Sequence, residues 1–392
     1  MSTLAAANIQ FFWQDRRILP EFRSGVSLHS HTAYSEESLG AWARHVSAIP
    51  YASRAFRHRS GTPLDLGQAF WTPLLCPRQA YRLEEKQIQR SFELPALVSL
   101  TDHDDIGAGT LLQVLDRFRN VPVSTEWTIP FENTFFHLGV HNLPVGEAPA
   151  LMDEMRAYTQ TPNPNVLSGM LQKLNSMRDV LVVLNHPLWD EQGLGLPNHE
   201  RLLQRFLRTH RWWLHALEMN GLRSWNENQR IVTVGRELGL PVVAGGDRHG
   251  REPNAILNLS RASTFSEFVE EVRVHRFSHA VFMPQYRRPL TMRVLRTISE
   301  VVGDYPNNIF YREPHSAKAL PLASVWDGSA AKAVKHVAAL MQRLGKRPHS
   351  GLASGAQPDR SVRSRLSIAV GHGEDRATQP DVDAAAVAGV LE

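Results

Sequence analysis

Nine side chains able to ligate a metal stand at or near the ends of short apolar runs: His29, His31, Glu36, His103, Glu126, His137, His186, Asp247 and His249. Most arrive one or two at a time, just after a stretch that reads as a buried strand. Imidazole and carboxylate donors without thiolates suit a catalytic Zn, Mn or Fe site rather than a structural zinc. Nine donors are too many for one ion. They suit two or three divalent ions, with a carboxylate such as Glu126 bridging a pair. Such sites favour phosphoryl chemistry, because they bind non-bridging oxygens, lower the pKa of a bound water and stabilise both the entering and the leaving oxygen.

Taken singly, the motifs say less. His29-Ser30-His31 follows the first strand, and in extended backbone residues i and i+2 share a side. Thr101-Asp102-His103-Asp104, continued by Asp105, puts four polar residues directly after an apolar run, which is costly unless something binds them. His137 lies inside Phe135–Val140 and by itself reads as a core histidine bonded to backbone. Asn185-His186-Pro187 ends another run. Gly245-Gly246-Asp247-Arg248-His249-Gly250 repeats the i, i+2 pairing with mixed donors. Asp102 is either an acid/base or orienting group, or a turn residue capping a backbone amide; Asp104 is similar. Arg251 is a candidate bidentate phosphate donor, against a plain surface role. Asp102, Asp104 and Arg251 form the catalytic candidate set. Arg223, in the loop beyond Asn220-Gly221, is a further phosphate candidate. Glu218 faces the same mouth and fits a place behind a ligand. His141 fits either the site rim or a loop. Arg248, between two ligands, points the other way and suits a structural pairing.

Strands are expected at Val26–Leu28, Ala96–Leu100, Val121–Ser124, Phe135–Val140, Val180–Leu184, His215–Met219 and Val242–Ala244. Apolar spacings of three and four predict helices at Leu111–Phe118, Pro149–Tyr158, Leu167–Met177, Arg201–Leu207 and Gln229–Leu238. Gly239 stops the last of these, and Pro241 opens the next strand. The alternation argues for a mostly parallel sheet. Seven strands with polar residues at their C-terminal ends suggest a TIM-like α/β barrel. About 41–73 is an insertion after the first strand, too long for a plain loop, either a lid over the site or a solvated excursion. It carries Arg44, Arg54, Arg57, Arg59, Trp42, Phe70 and Trp71. Thr264 with Glu267 looks like a capping box opening a helix through Arg276. Further helices are expected at Met292–Val302 and Ala330–Leu344. The division is a catalytic barrel at 1–290, a helical extension at 291–345 and a disordered tail at 346–392.

The chain has 392 residues, 42% hydrophobic and 21% charged, with net charge +4. These values suit a large globular enzyme and leave nucleic-acid binding thinly supported. Cys76 is the single cysteine, which excludes an intrachain disulfide and a multi-thiolate site. The first 22 residues hold no long apolar stretch, and no run is long enough for a bilayer. The expectation is a cytoplasmic enzyme of unspecified oligomeric state.

As an ordered series, His-x-His, Thr-Asp-His-Asp, a strand-end Glu, a later strand His, Asn-His-Pro and Gly-Gly-Asp-x-His resembles the PHP (polymerase and histidinol phosphatase) superfamily over about 25–250. That resemblance implies a distorted seven-stranded (β/α) barrel of PHP type with a trinuclear site. One ion would lie among His29, His31, Glu126 and Asp247, a second among Glu126, His137 and His186, and a third among Glu36, His103 and His249. The chain departs from the pattern in three places: Glu36 and Glu37 follow Ser35 where the family has Asp, the 41–73 insertion is extra, and Gly246 replaces the usual Ser. The implied activity is hydrolysis of a small phosphorylated substrate, a nucleotide or sugar phosphate, by metal-activated water at a di- or trinuclear site. Competing readings are a phosphodiesterase or exonuclease acting on nucleic-acid ends, an amidohydrolase-like C–N hydrolase, and a non-catalytic metal-stabilised scaffold. The two-metal amidohydrolases use a bridging carbamylated Lys, which these strands lack.

Overall fold

Alternating apolar and polar runs resolve into fourteen strands and eight α-helices among the residues that the computed structural model describes, 8–38, 69–304, 307, 309–312 and 319–321. In chain order these are β1 (Asn8–Phe11), β2 (Ser24–Ser30), β3 (Glu37–Ser38), β4 (Ala69–Trp71), α1 (Pro77–Phe92), β5 (Ala96–Val98), α2 (Gly107–Gln113), β6 (Val123–Phe131) and β7 (Thr134–Leu143). There follow α3 (Ala148–Gln160), α4 (Pro164–Ser176), β8 (Leu181–Asn185), α5 (Leu196–His210), β9 (Ala216–Asn220), α6 (Trp225–Leu238) and β10 (Val242–Arg248). The chain continues through β11 (Ile256–Ser260), α7 (Phe265–Arg273), β12 (His279–Phe282), α8 (Leu290–Gly303), β13 (Ile309–Arg312) and β14 (Ala319–Pro321). All seven expected strands are present, displaced by a few residues.

The main sheet has ten strands in the order β1-β12-β11-β2-β10-β9-β8-β7-β6, with β5 added on β2. β2, β8, β9 and β10 are buried at every position, as strands covered on both faces must be. The sheet is mixed, with a parallel centre. β2, β5, β8, β9 and β10 pair in parallel, whereas β7 runs antiparallel to both β6 and β8. The reason is local: only Glu132 and Asn133 separate β6 from β7, with Glu132 at φ 56, and so short a link makes a hairpin, not a crossover. Among the described residues the ladders do not form a closed sheet. One isolated parallel bridge, His103 with Glu126, stands between the segment after β5 and β6. The closed barrel expected from the sequence is therefore not shown; an α/β fold around a mixed sheet is.

Helix ends follow their sequence signals unevenly. Ser224 caps α6 by accepting from Glu227 N, and Gly239 closes it at φ 67. Thr264 caps α7, but Glu267 accepts from Ser263 N, one residue before the cap, and the helix stops at Arg273. The helix expected at Leu111–Phe118 appears as α2, which starts and ends earlier, and a 3₁₀ turn at Asp116–Phe118. The sequence reading did not include α1. It buries Ala80, Glu84, Ile88 and Phe92 along one face and lies so close to β2 that a Cβ at Gly25 would sit 2.6 Å from Ile88.

A second sheet of four antiparallel strands, in the order β14-β13-β4-β3, joins β3, just before the 41–73 insertion, and β4, near the insertion's end, to the C-terminal extension. The extension thus supplies the expected helix, as α8, and two strands besides. Of the insertion only 69–73 is described. Trp42, the four insertion arginines, the helix expected at Ala330–Leu344 and the 346–392 tail lie outside the described residues. Among those described, no helix is long and apolar enough to cross a membrane.

Candidate metal centre

The strand ends carry most of the nine expected donors toward one carboxylate, that of Glu126 on β6. Its Oε2 lies 2.9 Å from His29 Nε2, 3.2 Å from His31 Nε2 and 3.5 Å from His103 Nε2. Its Oε1 lies 3.1 Å from His186 Nε2 and 3.6 Å from His137 Nδ1, and accepts from Asn185 Nδ2 at 2.9 Å. On the far side of the two β2-end histidines, Asp247 Oδ1 is 3.6 Å from His29 Nε2 and 3.5 Å from both His31 Nε2 and His249 Nδ1.

Glu36 is not among these side chains. It is exposed, and the structure puts Glu37 in the expected place. Glu37 Oε1 is 3.2 Å from His249 Nε2, and Glu37 Oε2 is 3.4 Å from His103 Nε2. Ser35 Oγ donates to Glu37 Oε1 at 2.7 Å. Extended backbone puts Ser35 and Glu37 on one side and Glu36 on the other. Ser35 is buried, so Glu37 follows it inward; the sequence alone does not show which of the two glutamates does so.

Three of the donors, His29 at φ 62, His186 at φ 27 and Asp247 at φ 55, have left-handed backbone. The two β2-end histidines converge through a kink, not through the simple extended geometry expected for His-x-His. Left-handed non-glycine residues cost about 1–3 kcal/mol each and gather at functional sites. β10 is irregular in the same place: its register on β2 shifts between Gly245 and Arg248. Gly245 and Gly246 make room behind the site. A Cβ on Gly245 would lie 1.6 Å from Glu218, and one on Gly246 would lie 1.7 Å from Asn254. This accounts for glycine where the family pattern has Ser.

Around the donors is a layer of buried polar groups that aims them. Glu218 Oε1 meets His29 Nδ1 at 2.5 Å, and Glu218 Oε2 accepts from His186 N and Asn220 Nδ2. The carboxylate therefore orients His29 with Nε2 toward Glu126. Asp102 accepts from Thr32 N at 2.5 Å and from Thr32 Oγ1 at 2.7 Å. It ties the segment after β2 to that after β5, and burial pushes its carboxyl up to about 7. Asp104 accepts from Thr128 N at 2.8 Å. Each of these two aspartates thus holds a backbone amide. Arg251 turns away from the donors: its backbone N–H donates to Glu300 and its guanidinium lies 3.7 Å from Asp304. His141 pairs with Ser99 Oγ at 2.8 Å, behind the cluster.

Burial alone would neutralise the three carboxyls. The facing imidazoles reverse this and hold Glu37, Glu126 and Asp247 below the ordinary carboxylate range. Burial pushes His31 and His137 down, helped by His249 and His103 respectively, toward the neutral form that ligates metals. Against the same burial, Glu126, Glu218 and Asp247 pull His29 up.

The donor set fits divalent cations. Four groups have donor atoms all within 4.8 Å of one another: His31, Glu37, His103 and His249; His29, Glu126 and His186; His29, His31 and Asp247; and His103, Glu126 and His137. Ligand bonds of about 2.0–2.2 Å put two donors on one ion roughly 3–3.5 Å apart. His29 Nε2 and His31 Nε2 face each other at 3.1 Å. Compared with the grouping the resemblance implied, Glu37 replaces Glu36, His31 joins the group on that side, Glu126 is absent from the group of His29, His31 and Asp247, and His186 and His137 fall into separate groups with Glu126.

At the rim, Arg223 stacks 3.5 Å over the Trp189 ring, with Nη2 3.9 Å from Asp247 Oδ2. Its Nε and Nη2 are buried and make no hydrogen bond among the described residues. Trp189 was not singled out from the sequence; only its position three residues past His186 pointed to it.

No family model and no curated protein matches the chain. Among solved structures, it is similar to an amidohydrolase from Chromobacterium violaceum with bound sulfate and no metal, at 14% identity and a TM-score of 0.35, over 69% of this chain and 96% of that one. It is also similar to a candidate metal-dependent phosphoesterase from Bifidobacterium adolescentis, at 14% identity and a TM-score of 0.33, over 64% of this chain and 95% of that one. Likenesses this distant show neither a shared family nor a shared activity.

Proposed function

We propose that the chain is a metal-dependent phosphoesterase that hydrolyses a phosphomonoester. The observation that carries this reading is the convergence of five histidines on the two oxygens of Glu126, with Asp247 and Glu37 on either flank. His29, His31, Glu126 and Asp247 would hold one divalent ion, Glu126, His137 and His186 a second, and Glu37, His103 and His249 a third. When bound, such ions neutralise phosphoryl oxygens and lower the pKa of water. The sequence series, together with the sharing of Glu126 between two donor groups, supports a PHP-type site. A distorted barrel is the matching fold reading, with the His103–Glu126 bridge joining the segment after β5 to β6.

Arg223 favours an anionic phosphoryl substrate over a neutral amide. Its Nη1 donates to Leu222 O at 2.9 Å, but two buried guanidinium nitrogens, Nε and Nη2, have no hydrogen-bond partner among the described residues and need an explanation; a phosphoryl oxygen beside Asp247 supplies one, since guanidinium matches phosphate geometry. Trp189 holds the guanidinium flat. Asn185 fixes Glu126 and Asn220 fixes Asp247 at 3.2 Å, so the acidic groups keep their places while substrate exchanges. The strands that end at the site contain no Lys, which removes the bridging carbamate of a two-metal amidohydrolase. The test is phosphate release from nucleotides and sugar phosphates by protein loaded with Mn or Zn, against a chelated control. The expected result is release that stops on chelation and returns with metal, and that is lost in Asp247→Ala and His186→Ala. Folded, metal-loaded protein that releases no phosphate from any monoester would refute the reading.

A further inference from the structure

Three of the donors around one candidate ion, His31, His103 and His249, stand at ends or extensions of main-sheet strands, but the fourth, Glu37, does not. Glu37 opens β3, a strand of two residues that among the described residues pairs only with β4, Glu37 opposite Trp71 and Ser38 opposite Phe70. A pairing this short is marginal by itself. β4 has just three residues, and its second edge is taken by β13: Trp71 pairs with Ile309, Phe70 with Phe310 and Ala69 with Tyr311. The Phe70 and Phe310 rings stack with centroids 5.4 Å apart. Trp71 also reaches the same donor group directly, its ring 5.6 Å from that of His249. A chain of contacts thus runs from Phe310 through Phe70 and Trp71 to Glu37 and His249.

We infer that β13, from the C-terminal extension, is a positioning element for this one metal subsite, and that loading of the subsite and pairing of the small sheet are a single coupled equilibrium. The inference rests on the metal-binding part of the proposed function but not on its phosphoesterase part. Coupling is reciprocal: the sheet holds Glu37 where an ion needs it, and an ion shared by Glu37 with His103 and His249 pins β3, and through it β4 and β13, to the main fold. The other groups, two on Glu126 and one on Asp247, have no donor in the small sheet, so they keep their affinity when β13 is loosened. Phe310 reaches the donors at one remove, through the Phe70 ring.

The experiment compares Phe310→Ala, Phe310→Leu, Glu37→Gln and the Phe310→Ala/Glu37→Gln double variant of the full chain by titration with Mn and Zn, reading ions per chain. Phe310→Ala should weaken one ion's binding on the order of tenfold or more, the range for groups that orient ligands, and leave the rest unchanged; Phe310→Leu should restore much of it. The double variant should lose no more than Glu37→Gln alone, because both act on one subsite. Hydrogen exchange at 69–71 and 309–312 should slow on adding metal to the parent chain and not to Glu37→Gln. Equal weakening of every ion, additive losses in the double variant, or unchanged stoichiometry in Phe310→Ala with exchange that ignores metal would each overturn the coupling. If Phe310→Ala fails to fold, Phe70→Ala, which breaks the same ring contact from the other strand, carries the same expectations. A parent chain that binds no metal would overturn the metal assignment itself, a result separable from failure of the coupling.

Discussion

Glu84 and Arg248 form an ion pair at the back of the site, and removing one partner should be among the most damaging single changes in this protein. Their side chains are 0% and 3% exposed, with Arg248 Nε 2.9 Å from Glu84 Oε1. The guanidinium also donates to Gly250 O at 2.9 Å and His31 O at 3.0 Å. It therefore clasps the backbone on both sides of the donor group. Glu84 in turn accepts from Asn254 N at 3.1 Å and from Ser27 Oγ at 3.3 Å. Glu84→Ala leaves a buried positive charge without its counterion, which typically costs about 3–5 kcal/mol. At about 2–4 °C per kcal/mol for a domain of a few hundred residues, this is a fall in Tm of roughly 6–20 °C. The apolar pair Glu84→Leu with Arg248→Met removes both charges together with their desolvation cost, and should recover much of the lost stability. It should not recover metal affinity, because the carbonyls of His31 and Gly250 lose their shared donor. Thermal unfolding with and without added Mn measures both effects. A Glu84→Ala protein within about 1 kcal/mol of the parent, or a double variant no more stable than the single one, would refute the reasoning.

Three further outcomes are expected. Glu37→Gln should lose one bound ion per chain in metal titration while Glu36→Gln keeps the parent stoichiometry; the reverse result would reinstate the family-pattern assignment. Gly245→Ala, whose Cβ would lie 1.6 Å from Glu218 Oε1, should displace the group that orients His29 and weaken metal binding about 10–100-fold, a change calorimetry resolves; unaltered affinity would show that Glu218 does not set the His29 ring. Arg223→Ala should raise KM for a phosphomonoester, or the Kd for inorganic phosphate, on the order of tenfold or more, with one charge-assisted hydrogen bond worth about 1.5–3 kcal/mol, whereas Arg251→Ala should leave both unchanged.

Much of the strand placement was legible because strands buried on both faces are mostly apolar: the runs ending at Leu184 and Ala244 are apolar throughout, and the run ending at Leu28 departs only at Ser27, which hydrogen-bonds Glu84. The direction of β7 was less so. The two-residue link at Glu132 and Asn133 was present in the sequence, but strand–helix alternation elsewhere outweighed it. α1 went unread because its buried face includes a charged residue, Glu84, whose partner Arg248 is 164 residues away. Arg248 itself was read as pointing away from the donors into a structural pairing, and the structure shows that pairing.

What the sequence by itself determined was the kind of chemistry: donor types are a property of side chains, and their recurrence after apolar runs is a local pattern. It also excluded a multi-thiolate site, since Cys76 stands alone. The tertiary structure decided which donors meet. Glu36 and Glu37 differ by one position, and only the pairing of β3 with β4 settles which of them faces His103 and His249. Arg223 and Arg251 follow strand-end glycines in much the same way, and only the packing of α8 draws Arg251 toward Glu300 and Asp304 while Trp189 holds Arg223 beside Asp247. The physical reason is the same in each case: local sequence sets what a side chain can do and which side of its own strand it leaves from, but contacts between residues far apart in the chain form only when the sheets and helices pack.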